Sequence, residues 1–261
     1  MTKVTDRYNN DNLINLAKKQ YDKNQKSKLP ADIVKLPSAG KIYPNDNLLS
    51  KGSVEMRHMT AYDEDILTNA SYINEGIVLD KLLDALILDD VDINNITIFD
   101  KEALLVNARI SAYGSEYPII VTDPKTNKQI NSVVELSKLT FQSTELETDD
   151  LGESTYYCES GAKIKFSYAP RKEKIESTSS TRISSFLVNT IRQINESRDI
   201  HDIEKFIQYE FSFKESKKFQ THVIENTPGL LTEIEVTGED GGTFTAGFQF
   251  GPELFWPEAG A

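Results

Sequence analysis

The sequence predicts an α+β fold, and three observations carry that prediction. Apolar residues at helical spacing come in groups, over 60–112 and again over 182–226. Two turn-centred stretches, near 118–136 and 231–250, read as β-hairpins. Strands and helices follow one another in blocks rather than in alternating β/α units. The length of 261 residues suits one large domain or two small ones. With 38% hydrophobic and 27% charged residues, the composition is globular and somewhat polar.

Residues 1–30 hold seven Lys/Arg against three Asp, a net of +4. Leu13, Ile14, Leu16 and Ala17 supply only a turn or two of amphipathic helix. The remainder has no apolar face to bury, so a mobile basic tail is expected. The ordered body is expected to start near Leu29-Pro30, and its first part, 31–115, reads as mostly helical. It opens on Leu36-Pro37-Ser38-Ala39-Gly40-Lys41-Ile42-Tyr43-Pro44, where two prolines and a glycine exclude a helix. Val54 to Met59 alternates as a short strand. Thr60, with Asp63 three residues on, marks a helix start. Leu79, Leu82, Leu83 and Leu86 lie at i, i+3, i+4, i+7, which predicts a helix over Asn74–Asp92. A second helix is expected from Thr97 to Ala112, with Phe99, Ala103, Val106 and Ile110 inward and Gly114 as its stop.

The β texture begins after Gly114, and 116–170 reads as a hairpin part. Pro118 to Thr122 is β-branched, Asp123 to Lys128 is a turn, and Gln129 to Leu136 returns. Further strands are expected at Lys138–Glu147, Thr155–Glu159 and Lys163–Ala169. The acids Glu145, Glu147, Asp149, Asp150 and Glu153 read as a solvated connection. A second helical part spans 171–226. Ile183, Phe186, Leu187, Ile191 and Ile194 form one stripe, Ile200, Ile203, Phe206 and Ile207 another, and Lys214–Asn226 a third segment. The last part, 227–261, is a hairpin, Leu231–Thr237 with Thr243–Phe250, followed by an aromatic tail. Phe248, Phe250, Phe255 and Trp256 lie within nine residues of each other and must be covered, by this chain or by a partner.

Composition excludes several functions. The longest apolar runs are far shorter than the ~20 residues of a membrane span. Met1 to Asn12 is polar throughout, so no secretory leader is expected. The single cysteine, Cys158, makes no intrachain disulfide and suits a reducing compartment. The net charge is −12, and residues 31–261 alone carry −16, so phosphate backbones are repelled and nucleic acid is not an expected partner.

Motifs of catalysis are incomplete. Ser38-Ala39-Gly40-Lys41 matches the end of a phosphate-binding loop, but Lys35 stands where that loop needs its first glycine and Ile42 where it needs Ser or Thr. Asp90, Asp92 and Asn94 have calcium-loop spacing, yet Asn95 and Lys101 replace the required Gly and Glu. His58, His201 and His222 form no two-histidine helical motif, and no Gly-x-Ser-x-Gly elbow exists. Cys158 reads as a structural thiol. Neither catalysis nor a cofactor is expected.

Leu36 to Pro44, followed by Val54-Glu-Met-Arg-His-Met-Thr-Ala-Tyr-Asp-Glu-Asp-Ile-Leu67, resembles the small baseplate hub and hub-assembly proteins of T-even-type contractile-tail phages. Ala108-Arg-Ile-Ser-Ala-Tyr-Gly114 and Phe248-Gln-Phe-Gly-Pro-Glu-Leu-Phe-Trp-Pro257 are similar to the same family, so the resemblance covers about residues 31–257. It implies a role in building or forming the central hub through contacts with other hub or tail proteins. The expected location is the host cytoplasm during assembly, or the tail baseplate of the virion. In that family the two hairpin turns often carry Cys-x-x-Cys, the knuckles of a zinc ribbon. Here Asp123 and Thr126, then Gly238 and Gly241, stand in those places, so the ribbon shape is expected without its metal cysteines. Leu36, Pro37, Tyr43 and Pro44, and Phe255 with Trp256, are the candidate partner contacts. The alternatives are a cytoplasmic enzyme of unknown chemistry, such as a modified-nucleotide handler, and a non-catalytic adaptor acting through its tail.

Overall fold

A computed structural model describes residues 29–142, 146–171, 182–238, 240–248, 250 and 254–255. The expected basic tail lies outside these residues, apart from Leu29 and Pro30. The described chain is α+β, with seven α-helices and small antiparallel sheets.

Strand β1 (Ala31–Lys35) pairs antiparallel with β2 (Ser53–Arg57), Val34 opposite Val54. Sequence reading misses β1 because it is an edge strand that buries only Val34 and leaves Ile33 76% exposed, so no alternation shows. Helix α1 (Ala61–Leu67) starts where Thr60 and Asp63 predict. The Asp63 carboxylate accepts from the Thr60 N–H at 2.7 Å.

The helix expected over Asn74–Asp92 is shorter at both ends, α3 (Val78–Leu86), and a separate short helix, α2 (Ala70–Asn74), precedes it. Gly76 lies between them at φ +70°, the left-handed conformation that ends a helix. Helix α3 stops at Leu86 because Ile87 turns extended and bridges Met56 on β2. The leucine stripe faces inward, with Leu82, Leu83 and Leu86 fully buried. Helix α4 (Ile98–Tyr113) follows its expected span, and Gly114 is its C-cap. Arg109 fixes that end: its Nη1 donates to the Gly114 carbonyl at 3.0 Å, and its guanidinium lies over the Tyr113 ring.

The first hairpin pairs β3 (Glu116–Thr122) with β4 (Gln129–Glu135), and the second pairs β8 (Glu233–Thr237) with β9 (Thr243–Gly247). Asn127 takes φ +59° in the first turn. The expected strand Lys138–Glu147 does not form among the described residues. A 3-10 turn covers Leu136–Lys138, and Phe141 makes one isolated bridge to Leu230. Its backbone bonds go to a single extended stretch, Gln142 N–H to Gly229 O and Leu231 N–H to Thr140 O, both 2.8 Å.

A three-stranded sheet follows, with β6 (Lys163–Phe166) between β5 (Ser154–Tyr157) and β7 (Ile191–Ile194). The apolar stripe running to Ile194 predicts helix throughout. Helix α5 (Arg182–Thr190) instead ends before Ile191, whose segment pairs with β6 and satisfies that strand's second edge. Both readings bury the same isoleucines, and β-branched side chains suit the strand. Helix α6 (Ile200–Lys205) widens into a π-helical turn at Phe206–Glu210, and α7 (Phe213–Glu225) follows.

Two apolar cores result. The first gathers β1, β2, α1, α3, α4 and residues such as Tyr117, Val134 and Leu136 from around the first hairpin. The second packs β5–β7 against α5, α6 and α7. Tyr168 touches both, edge-on to Phe99 of the first and to Phe166 of the second, and its hydroxyl donates to the Val223 carbonyl at 3.1 Å.

Candidate functional site

The proline-bracketed segment is held from inside. Asp100, fully buried on α4, accepts from the Ser38 N–H at 3.1 Å, the Ser38 hydroxyl at 2.8 Å and the Tyr43 hydroxyl at 2.6 Å. Tyr43 in turn accepts from the Thr97 N–H at 3.1 Å. Burial raises the Asp100 carboxyl above the usual carboxylate range, against the hydrogen bonds that oppose it. Burial, with the Asp100 charge beside it, also pushes the Tyr43 phenol far up, so it stays a neutral donor. Gly40 sits at φ +78°, where a Cβ would lie 2.3 Å from the Ser50 carbonyl oxygen. Leu36, Pro37 and Tyr43 are therefore interior residues of this fold, while Pro44 stays partly open. Phe255 is 2% exposed and belongs to the first core, against which Phe248 and Phe250 also pack, edge-to-face with one another. Trp256 lies outside the described residues.

The two hairpin turns meet. A Cβ built on Gly238 would lie 3.3 Å from Asp123 Oδ2, and Lys125 pairs with Asp240 across the gap at 3.5 Å. Asp123 Oδ1 accepts from the Lys125 N–H at 2.8 Å and the Thr126 N–H at 3.4 Å, and Oδ2 accepts from the Thr126 hydroxyl at 2.9 Å. The carboxylate thus closes its own turn. Those hydrogen bonds, the Lys125 N–H first, hold it below the ordinary range. As a zinc site the donor set is too small: one carboxylate already committed to its turn, one hydroxyl and two glycines, against four closed ligands. No group of three His, Cys, Asp or Glu comes together among the described residues. Purified protein is expected to carry no stoichiometric zinc, and a chelator to leave its melting temperature unchanged. One zinc per chain by elemental analysis would contradict this.

A cleft of about 360 Å³ opens between the two cores. Tyr43, Pro44 and Asn95 line it from the first core, and Arg171, Arg192 and Arg198 from the second. Arg198 makes a bidentate pair with Glu153, both contacts 2.8 Å. Arg171 donates to the carbonyls of Val188 and Ile191. Arg192 donates to those of Asn189 and Ala169, at 2.5 and 2.6 Å. Burial, helped by the neighbouring Arg171 charge, pushes Arg192 down to about 10. Sequence reading does not find this cluster, because its arginines are up to 27 residues apart and only the β6–β7 pairing brings them together.

Cys158 lies in the second core, 7% exposed. Burial first, then the Glu215 charge, pushes its thiol up to about 11. A thiol in that state is a poor nucleophile. A disulfide-exchange reagent at neutral pH is expected to leave it unmodified in the folded chain and to label it fully in concentrated guanidinium chloride. Rapid labelling of the folded protein would show an open thiol. Asp92 serves as a cap, accepting from the Asn94 N–H at 2.9 Å, so the partial calcium spacing marks a turn.

A protein-family model described as T4 bacteriophage base plate protein matches residues 31–243. No curated protein and no solved structure matches the chain.

Proposed function

The chain belongs to the T4 bacteriophage base plate protein family, and from that premise we propose that it forms or helps assemble the central hub of the tail baseplate. It works by protein–protein contact and turns over no substrate. The family match over 31–243 carries this reading. Two features of the chain support it. Its sole thiol is sequestered. Large apolar side chains also stand in solvent together, Ile73 at 48% and Ile98 at 70% exposed along one groove. The partners are other hub or tail proteins, met in the host cytoplasm and then held in the virion tail. Within the proline-bracketed segment Ala39 and Lys41 are exposed and Pro44 is half-buried, and the buried residues act by holding these three in place.

The test is co-expression of the full chain with the other baseplate proteins of the same tail, one at a time, followed by size-exclusion chromatography. A stable complex with a hub protein is expected, as is recovery of the chain from purified virions. Failure to bind any baseplate protein, or measurable nucleotide or ester hydrolysis lost with a point substitution, would overturn the proposal.

A further inference from the structure

We propose that the arginine cleft is the docking site for an acidic side chain, Asp or Glu, of another baseplate protein. This rests on the protein–protein role proposed above and names the chemistry of one contact. The body of the chain is strongly acidic, −16 over residues 31–261, yet here three guanidinium groups line one cleft. Among the described residues that line it, Glu153 is the sole carboxylate. That carboxylate is engaged on both oxygens by Arg198. Asp149 reinforces Arg198 electrostatically, but its own carboxylate is paired with Lys165 at 2.6 Å.

Among the described residues, Arg192 has no carboxylate at hydrogen-bond distance, and Glu153, which acts on it electrostatically, is already held by Arg198. Arg192 is half-buried, it lies beside another arginine, and its partners are two backbone carbonyls. Carbonyls orient a guanidinium but do not neutralise it. Two of its five N–H donors are used, which leaves donors for a carboxylate arriving from the cleft mouth. Pro44 and Pro170 form apolar walls suited to the methylenes of an incoming Glu. A polyanion is a poor occupant, because beyond the cleft its other charges meet the acidic body. A single carboxylate on a protein surface reaches Arg192 without bringing further negative charge against the acidic body. Complementarity of this kind raises association rates and selects partners.

Leu151 provides a clean test, since it sits at the rim, is 51% exposed and has a side chain that makes no hydrogen bond. The affinity of the co-purified partner is measured by calorimetry for the full-length wild type, Leu151→Glu, Leu151→Lys and Arg192→Gln. Leu151→Glu is expected to weaken binding about tenfold, while Leu151→Lys leaves it equal or tighter, both with unchanged melting. Arg192→Gln is expected to weaken binding as Leu151→Glu does. If Arg192→Gln also melts early, the two Leu151 variants still decide. Equal affinity for wild type and both Leu151 variants would overturn the cleft and leave the wider proposal standing. Equal weakening by Glu and Lys would overturn it too, since the rim contact would then be steric. A wild type that binds no baseplate protein would remove the wider proposal instead.

Discussion

Tyr43→Ala lowers the unfolding free energy by about 3–5 kcal/mol, the usual cost of truncating a buried aromatic side chain to alanine. Tyr43 is 2% exposed and ties the proline-bracketed loop to α4 through Asp100 and Thr97. Its removal opens a cavity and takes the acceptor from the Thr97 N–H, a loss costing about 1–3 kcal/mol, while Asp100 Oδ2 keeps the Ser38 hydroxyl. Native domains are stable by only ~5–15 kcal/mol, so this variant is expected to be near its folding limit. Tyr43→Phe keeps the ring and removes only the hydroxyl, so it should fall between wild type and alanine. Urea unfolding of the three proteins checks the order. A Tyr43→Ala stability within about 1 kcal/mol of wild type would show the loop to be loosely held, contrary to the close-packed interior described above. Partner binding by Tyr43→Phe should persist, since the residue acts through the loop's position.

The most recognisable residues of the sequence turn out to be architectural. Leu36 to Pro44 is fastened to Asp100, and Arg57 to Asp63 within the second block. In the Ala108–Gly114 block, Arg109 caps its own helix. Buried polar pairs need particular residue types at fixed positions, so they leave a strong trace in the sequence. Helical stripes and hairpin turns are legible for a similar reason, because burial periodicity and positive-φ residues are local. Three kinds of feature are not. Strand β1 shows one buried side chain, too few for a pattern. Ile191–Ile194 is strand because β6 has an edge to fill, which depends on residues 25 or more positions away. The arginine cleft needs the β6–β7 pairing to gather its arginines and the contact of the two cores to supply the facing wall of Tyr43, Pro44 and Asn95.

Arg57→Ala is expected to cost about 3–5 kcal/mol at neutral pH, as breaking one side of a buried ion pair does. Arg57 and Asp63 are 5% and 0% exposed, and they meet in a bidentate pair with both contacts at 2.8 Å. Arg57 also donates to the carbonyls of Ala85 and His58, so it ties β2 to α3 as well as to the start of α1. Burial pushes the Asp63 carboxyl up, but hydrogen bonds from Arg57 and Thr60 outweigh it and hold the group below its ordinary value. A carboxyl with a depressed folded pKa stabilises above its unfolded value, about 3.9, and that stability is lost as pH falls through the folded pKa. In Arg57→Ala the burial remains and the cation is gone, so the folded pKa moves above the unfolded one. Such a carboxyl favours folding below its unfolded value and loses that advantage as pH rises. The gap between wild type and Arg57→Ala should therefore narrow on acidification towards pH ~4. Replacing both partners, Arg57→Met with Asp63→Leu, should cost less than Arg57→Ala, because no charge is left buried. That double variant still loses the Asp63 bond to the Thr60 N–H, a helix-start contribution of about 1 kcal/mol. Thermal unfolding of the three proteins across the acidic range tests both statements. A gap that widens on acidification, or a double variant less stable than the single one, would mean that the pair is solvated and contributes little to the fold.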